Sequence, residues 1–412
     1  MNPRERSVDE EADVNCSTRN SVQLRPDPHM PDPHVPDPGA RSFAAPALSN
    51  LVALHLTYRW CDAPASLPPR RRGQAQTLNS WFRERLLHAL REQACLHLRA
   101  PRPTCVRCDS DVRERCPLPA IYPPLGSGDN QPAEALASLH TIDVLHRAAE
   151  LRLKAGDLVR VDVVLIGPAR RSAGALLSAL RTLEDGRLRL ERVDNLTVAL
   201  QRFEAPNGRW PLPVAAHPVA LADAPLHPVG DAATEAHLVD WLTATGCLEL
   251  ELLTPLRLTQ GGRTELAAFD LAVFTARLLR RLHALHETSA LVRSGEMITP
   301  LVDEGAVQAE IAALASAFTV EADTHVRQAE RRGHGGHRHP LGGLRGVVRV
   351  TSAQPWALRR LASALVVGAW VGVGRCATMG LGRLRVRPAV ALAPLATPVP
   401  GSRGAVLTAV SG

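Results

Sequence analysis

The residues with the most chemical capacity lie near the end of the chain. Residues 368–386 read GAWVGVGRCATMGLGRLRV, so that two G-x-G steps, Gly372/Gly374 and Gly380/Gly382, surround a turn bearing Arg375, with Arg383 and Arg385 just after it. Glycine has no side chain and tolerates positive φ, so such a loop can bring backbone N–H groups close to phosphate oxygens while the arginines add charge. The spacing is not that of a dinucleotide-binding loop: Gly380 comes six positions after Gly374, and no Gly-Lys-Ser/Thr follows. No nucleotide cofactor is therefore expected. The plainer alternative is a glycine-rich turn that closes a hairpin.

Charge points to the same region. From Arg331 to the C-terminus there are twelve arginines and no Asp, Glu or Lys, whereas the whole chain carries only +7, which leaves the first 330 residues net acidic. Such asymmetry is the footprint of a polyanionic partner. Residues 331–340, RRGHGGHRHP, place Arg331, Arg332 and Arg338 among three histidines, two of them His337 and His339. Arg345 follows in LGGLRGVVRV, residues 341–350. Histidine, with a pKa near 6.5, can exchange protons near neutrality. The chain has one lysine, Lys154, and two tyrosines, so histidine is its main candidate for that role. The basic segment lacks carboxylates, so a two-metal nuclease centre would have to be assembled from the acidic part of the chain.

Four of the eight cysteines, Cys95, Cys105, Cys108 and Cys116, fall within a Pro- and Arg-rich stretch spaced C-x9-C-x2-C-x7-C. Without a secretory leader, clustered thiols favour a metal over disulfides, and a C-x2-C step suits two ligands of tetrahedral zinc. A structural zinc and reduced free thiols are the two main readings; an iron–sulfur site is a distant third. Four thiolates leave no open coordination position, so this would not be a catalytic metal.

These elements need a framework. Residues 1–42 contain a Pro-Asp-Pro-His repeat whose prolines favour an extended chain. Residues 47–60 read as a strand and 77–95 as an amphipathic helix in which Trp81, Leu86 and Leu90 lie near one stripe. Residues 126–150 begin as a loop and turn helical; strands at 157–167 and 188–201 flank a helix at 172–184. The second half repeats the pattern, with a strand at 247–259, helices at 266–287 and from 302 to about 331, a strand at 341–351, a helix at 356–370 and a closing strand at 381–387. The order predicts an α+β protein of tandem ferredoxin-like domains with a C-terminal glycine-rich loop. The expected divisions are an extension over 1–42, an N-terminal domain over 43–203 with a cysteine-bearing insertion at 95–122, a linker over 204–235, a C-terminal domain over 236–392 that would take the polyanion and a tail over 393–412. The longest uncharged apolar run, residues 361–374, is shorter than the roughly 20 residues a bilayer requires. A soluble, cytoplasmic protein without membrane partners is expected.

The run LGGLRGVVRV, a helix and then VGVGRCATMGLGRLRV resembles the C-terminal signature of the CRISPR-associated precursor-crRNA-processing endoribonucleases of the RAMP superfamily. GDLVRVDVVLIG at 156–167 and LTPL at 253–256 fall in that family's order. The resemblance implies cleavage of CRISPR repeat RNA by attack of a 2′-OH on the adjacent phosphate, with no metal or other cofactor in catalysis. It also implies association with other CRISPR-associated proteins and adds His88, on the first helix, to His337 and His339 as catalytic candidates. Arg331, Arg332, Arg338, Arg345, Arg375, Arg383 and glycines 372, 374, 380 and 382 become the expected RNA contacts. The alternative within the superfamily is a subunit that binds guide RNA in an interference complex without cutting it.

Overall fold

In the computed structural model two antiparallel sheets carry the architecture, and each is built by the same split β–α–β logic. The structure describes residues 46–61, 78–94, 116, 118, 121, 139–144, 154–182, 188–198, 214–219, 226–260, 263–264, 267–294, 304–327, 330–332, 338–340, 342–375 and 377–389. Residues 1–42 lie outside this range, as do three of the four clustered cysteines.

The first sheet has the order β2-β3-β1-β4-β5, from β1 (Leu51–Trp60), β2 (His140–Val144), β3 (Leu158–Ile166), β4 (Leu188–Val198) and β5 (Val214–Pro218). Helices α1 (Leu78–Ala94) and α2 (Ala173–Arg181) supply the crossovers, giving the ferredoxin-like order with β5 added at one edge. Alternation decides which face they cover. Val52, Leu54, Leu56, Tyr58 and Trp60 of β1 share one face and are all buried. Tyr58 packs against Phe82 of α1 in a tilted arrangement, 5.4 Å between ring centroids, and donates its hydroxyl to Leu180 O of α2. Phe82, Leu86, Ala89 and Leu90 form the buried stripe of α1.

The second sheet, β13-β6-β12-β9, comprises β6 (Cys247–Leu256), β9 (Thr319–Arg327), β12 (Gly343–Thr351) and β13 (Leu384–Pro388). Its helices are α3 (Ala232–Thr243), α4 (Leu271–Ser294), α5 (Glu304–Ser316) and α6 (Pro355–Val371); short hairpins β7–β8 (Thr259–Gln260, Arg263–Thr264) and β10–β11 (Glu330–Arg332, Arg338–Pro340) complete the set. The α+β, tandem ferredoxin-like reading of the sequence therefore holds. α6 starts on Pro355, whose missing N–H is no loss in a first turn, and is buried along almost its whole length between the sheet and helices α3 and α4. Leu248, Leu250, Leu252, Val348, Val350, Leu384 and Val386 turn their side chains to that core.

Three elements differ from expectation. The helix predicted from 302 to about 331 stops at Ser316, and Thr319–Arg327 is an edge strand instead. Its residues are mostly exposed on both faces, so TVEADTHVR shows no apolar stripe to announce it. His140–Val144, expected in a helical stretch, is the other sheet's edge strand β2, placed by pairing with β3 rather than by its own pattern. Within the stretch expected as a linker, Val214–Pro218 pairs with β4, and Asp231 caps α3 by accepting from Thr234 N. No helix among the described residues is long and apolar enough to cross a membrane.

Candidate nucleic-acid interface

The glycine-rich segment leaves the C-terminus of α6 and returns as β13, and its backbone is held from inside. Gly372, Gly374, Gly380 and Gly382 all have φ between +68° and +83°, a region that L side chains rarely adopt. Space is tight as well. A Cβ on Gly382 would lie 1.8 Å from Val373 O, and one on Gly374 2.4 Å from Arg257 O. The N–H donors are largely committed: Gly372 to Gly368 O, Val373 to Gly382 O, Arg375 to Arg257 O, Gly380 to Ala377 O and Gly382 to Pro255 O. The expected row of N–H groups open to a phosphate is thus corrected, because these glycines allow a compact turn to fold onto β6.

Two arginines, Arg383 buried and Arg281 half-buried, hold the helix end that feeds this turn. Arg281 of α4 donates to the carbonyls of Val371 and Gly372, and Arg383 donates to Trp370 O. Cations here face the negative end of the α6 dipole and satisfy carbonyls that the helix leaves unpaired. Burial pulls the Arg281 guanidinium down to about 10, still charged at neutral pH. Arg383 is only 2% exposed, so its guanidinium has no surface from which to reach an RNA; its expected contact role is corrected to a structural one.

The other basic residues behave similarly. Arg349 and Arg387 flank Glu249 from neighbouring strands, Arg385 pairs with Glu251, Arg359 with Asp240 and Arg360 with Glu310, while Arg345 donates to Leu253 O. Burial alone would raise the Glu249 carboxyl, but the two guanidinium groups outweigh it and hold that carboxyl below its ordinary range. The acids come from upstream, so for these five arginines the one-signed charge of the C-terminal segment is compensated by partners on other strands and helices. Arg375 is different. It sits exposed on the turn and, among the described residues, its side chain makes no hydrogen bond or ion pair.

His88 is exposed on α1, its Nδ1 3.2 Å from Glu92 Oε1 one turn on. In the β10–β11 hairpin, Arg331 is opposite His339 and Arg332 opposite Arg338, so four of the expected residues share one small ladder. His337 lies outside the described residues. So do Cys95, Cys105 and Cys108; Cys116 is half-buried and forms no disulfide among the described residues. Among the described residues no group of three or more His, Cys, Asp or Glu could hold a metal.

One constellation escaped the sequence reading. In the first sheet Asp143, Asp162, His55 and Asp194 stand in a single row across β2, β3, β1 and β4, all buried, with His55 Nδ1 2.6 Å from Asp162 Oδ1. Arg192 closes on Asp194. Nothing local to any one strand signals the row, since its members are 19 to 139 residues apart and meet only through register.

Residues 250–384, which run from β6 through the turn into β13, match the family model of the CRISPR-associated endoribonuclease Cas6. This segment is similar to Cas6. No curated protein matches the chain. Among solved structures, a Cas6 product complex is 16% identical, covering 83% of this chain and 100% of that one at a TM-score of 0.43. The Cas6 of Thermus thermophilus is likewise 16% identical over 83% and 100%, at 0.41. A RAMP protein described as binding different RNA substrates is 10% identical over 81% and 99%, at 0.33.

Proposed function

We propose that the chain is an endoribonuclease that cuts CRISPR repeat RNA in precursor transcripts to release guide RNA. The observation that carries this reading is the Cas6 family match over 250–384, which contains the turn bearing Arg375, a solvent-facing cation with no side-chain partner among the described residues. Charge on that turn suits a phosphate, and the β10–β11 hairpin adds arginine and histidine on the neighbouring connection.

In the proposed mechanism the RNA's 2′-OH attacks its own adjacent phosphate. A base takes the hydroxyl proton, an acid protonates the departing 5′ oxygen, and arginine balances charge on the phosphorane. The products are a 2′,3′-cyclic phosphate and a 5′-OH. The proton-transfer candidates are His88, His337 and His339; Arg375 is the charge partner. Chemistry of this kind uses no metal, and a zinc held by Cys95, Cys105, Cys108 and Cys116 would serve folding alone. Other CRISPR-associated proteins are the proposed partners beyond the RNA.

Labelled repeat RNA mixed with purified protein in EDTA tests the reading. One cut with a cyclic phosphate end is the expected result. Binding without cleavage points instead to a guide-RNA-holding subunit, and no selective binding sinks both.

A further inference from the structure

Three arginines of the first half of the molecule gather around a cavity that the segment similar to Cas6 reaches only through α4. Its volume is about 830 Å³, within the range of roughly 300–1,000 Å³ typical of ligand sites. Arg170, Arg171 and Arg181 line it, with His286 from α4, and none of its described lining residues is acidic.

The walls follow from local sequence. Gly167, at φ +55°, lets the 3₁₀ turn of residues 167–172 press against α4, where a Cβ would come within 2.6 Å of Ser289 Oγ. Gly174, Leu177, Ser178 and Arg181 follow at i, i+3, i+4 and i+7, so one face of α2 forms a wall kept open by a glycine and a serine. That face runs about 10 Å from Gly174 to Arg181 at 1.5 Å per residue. Arg170 is fixed at the rim by donation to Ser49 O. Arg171 is exposed and makes no ion pair or hydrogen bond among the described residues. Val52, Leu177, Val219 and Leu226 give the opposite character, an apolar wall.

We propose that this cavity is a second RNA-binding site, taking a short single-stranded stretch of the transcript with a phosphate on Arg171 and base surface on the apolar wall. The inference rests on the reading of the chain as a CRISPR RNA-processing protein. In making no ion pair among the described residues, Arg171 differs from Arg349, Arg385 and Arg387 of the C-terminal sheet, which are paired with Glu249 and Glu251.

The test is salt-dependent binding of full-length protein and its Arg171→Glu and Ser178→Trp variants to repeat RNA and to a length-matched unrelated RNA. Both variants should melt at the parental temperature. Arg171→Glu should bind about tenfold more weakly, with a log–log salt slope shallower by about 0.7 for each single-strand phosphate it no longer neutralises. Ser178→Trp, which fills the cavity without altering charge, should weaken binding with little change in slope. Parental affinity and slope in both variants would overturn the site. So would inorganic phosphate binding that depends on Arg171 when RNA binding does not, since that marks a small-anion pocket. A parent that binds RNA without cutting the repeat refutes the proposed function but leaves the cavity to be judged by the variants; a parent that binds neither RNA overturns both.

Discussion

Arg375 and Arg383 stand eight residues apart in one glycine-rich segment, yet they meet opposite surroundings. Arg375 is exposed and, among the described residues, has no side-chain partner, so Arg375→Glu should weaken repeat RNA binding roughly tenfold or more at low salt and leave the melting temperature unchanged, because a charge-assisted hydrogen bond contributes about 1.5–3 kcal/mol. Filter binding alongside a thermal melt checks this. Arg383→Met should do the reverse. It strips a donor from Trp370 O in a buried site, a loss of about 1–3 kcal/mol, and should lower the melting temperature while the folded fraction binds RNA as the parent does. For catalysis, alanine at His88, His337 and His339 in turn should cost about 10²–10⁴-fold in single-turnover rate at whichever serves as base, with affinity little changed. Three variants cutting at the parental rate would remove histidine from the mechanism.

At the scale of elements, the turn and the charged ladder make separate predictions. Gly382→Ala would place a methyl 1.8 Å from Val373 O at a φ of +68°, and the backbone there has no room to yield. Insoluble or unfolded protein is expected, and a soluble variant with parental melting would contradict the packing of the turn. Glu249, flanked by Arg349 and Arg387, has its folded-state carboxyl held below the unfolded value. Its stabilisation is therefore complete above the unfolded pKa of about 4.5 and is lost as pH falls through the lower folded value. Melting temperature should drop on acidification in that window, and Glu249→Gln should flatten the drop. Equal slopes for parent and variant would remove Glu249 as the source.

For the whole molecule, the cysteine cluster lies largely outside the described residues, and elemental analysis decides it. About one zinc per chain is expected, and Cys105→Ser with Cys108→Ser should lower thermal stability, since ligation free energy becomes folding free energy. Well-folded protein free of zinc would return these residues to plain thiols. Cleavage should persist in EDTA in either case.

Periodicity alone located β1, α1, β3, α2, β6, β12 and α6 to within a few residues, because each has one strongly apolar face or is apolar throughout, and burial of that face is what fixes such elements. The order of these elements pointed to the tandem ferredoxin-like fold, and the glycine and arginine pattern of 341–386 marked the segment that matches the Cas6 family model. Edge strands β2 and β9 were not legible: an edge is specified by the partner it pairs with, and their own residues need no continuous apolar face. The charge of the C-terminal segment was legible as a sum but not as a surface. Register brings Glu249 and Glu251, 100 to 138 residues upstream, onto the arginines of β12 and β13. The same long-range pairing lines up His55 with three aspartates, and the docking of the 167–172 turn on α4 collects Arg170, Arg171 and Arg181 around one cavity. Which cations are free to meet an anion is a property of strand register and helix packing, and those exist only once distant parts of the chain have come together.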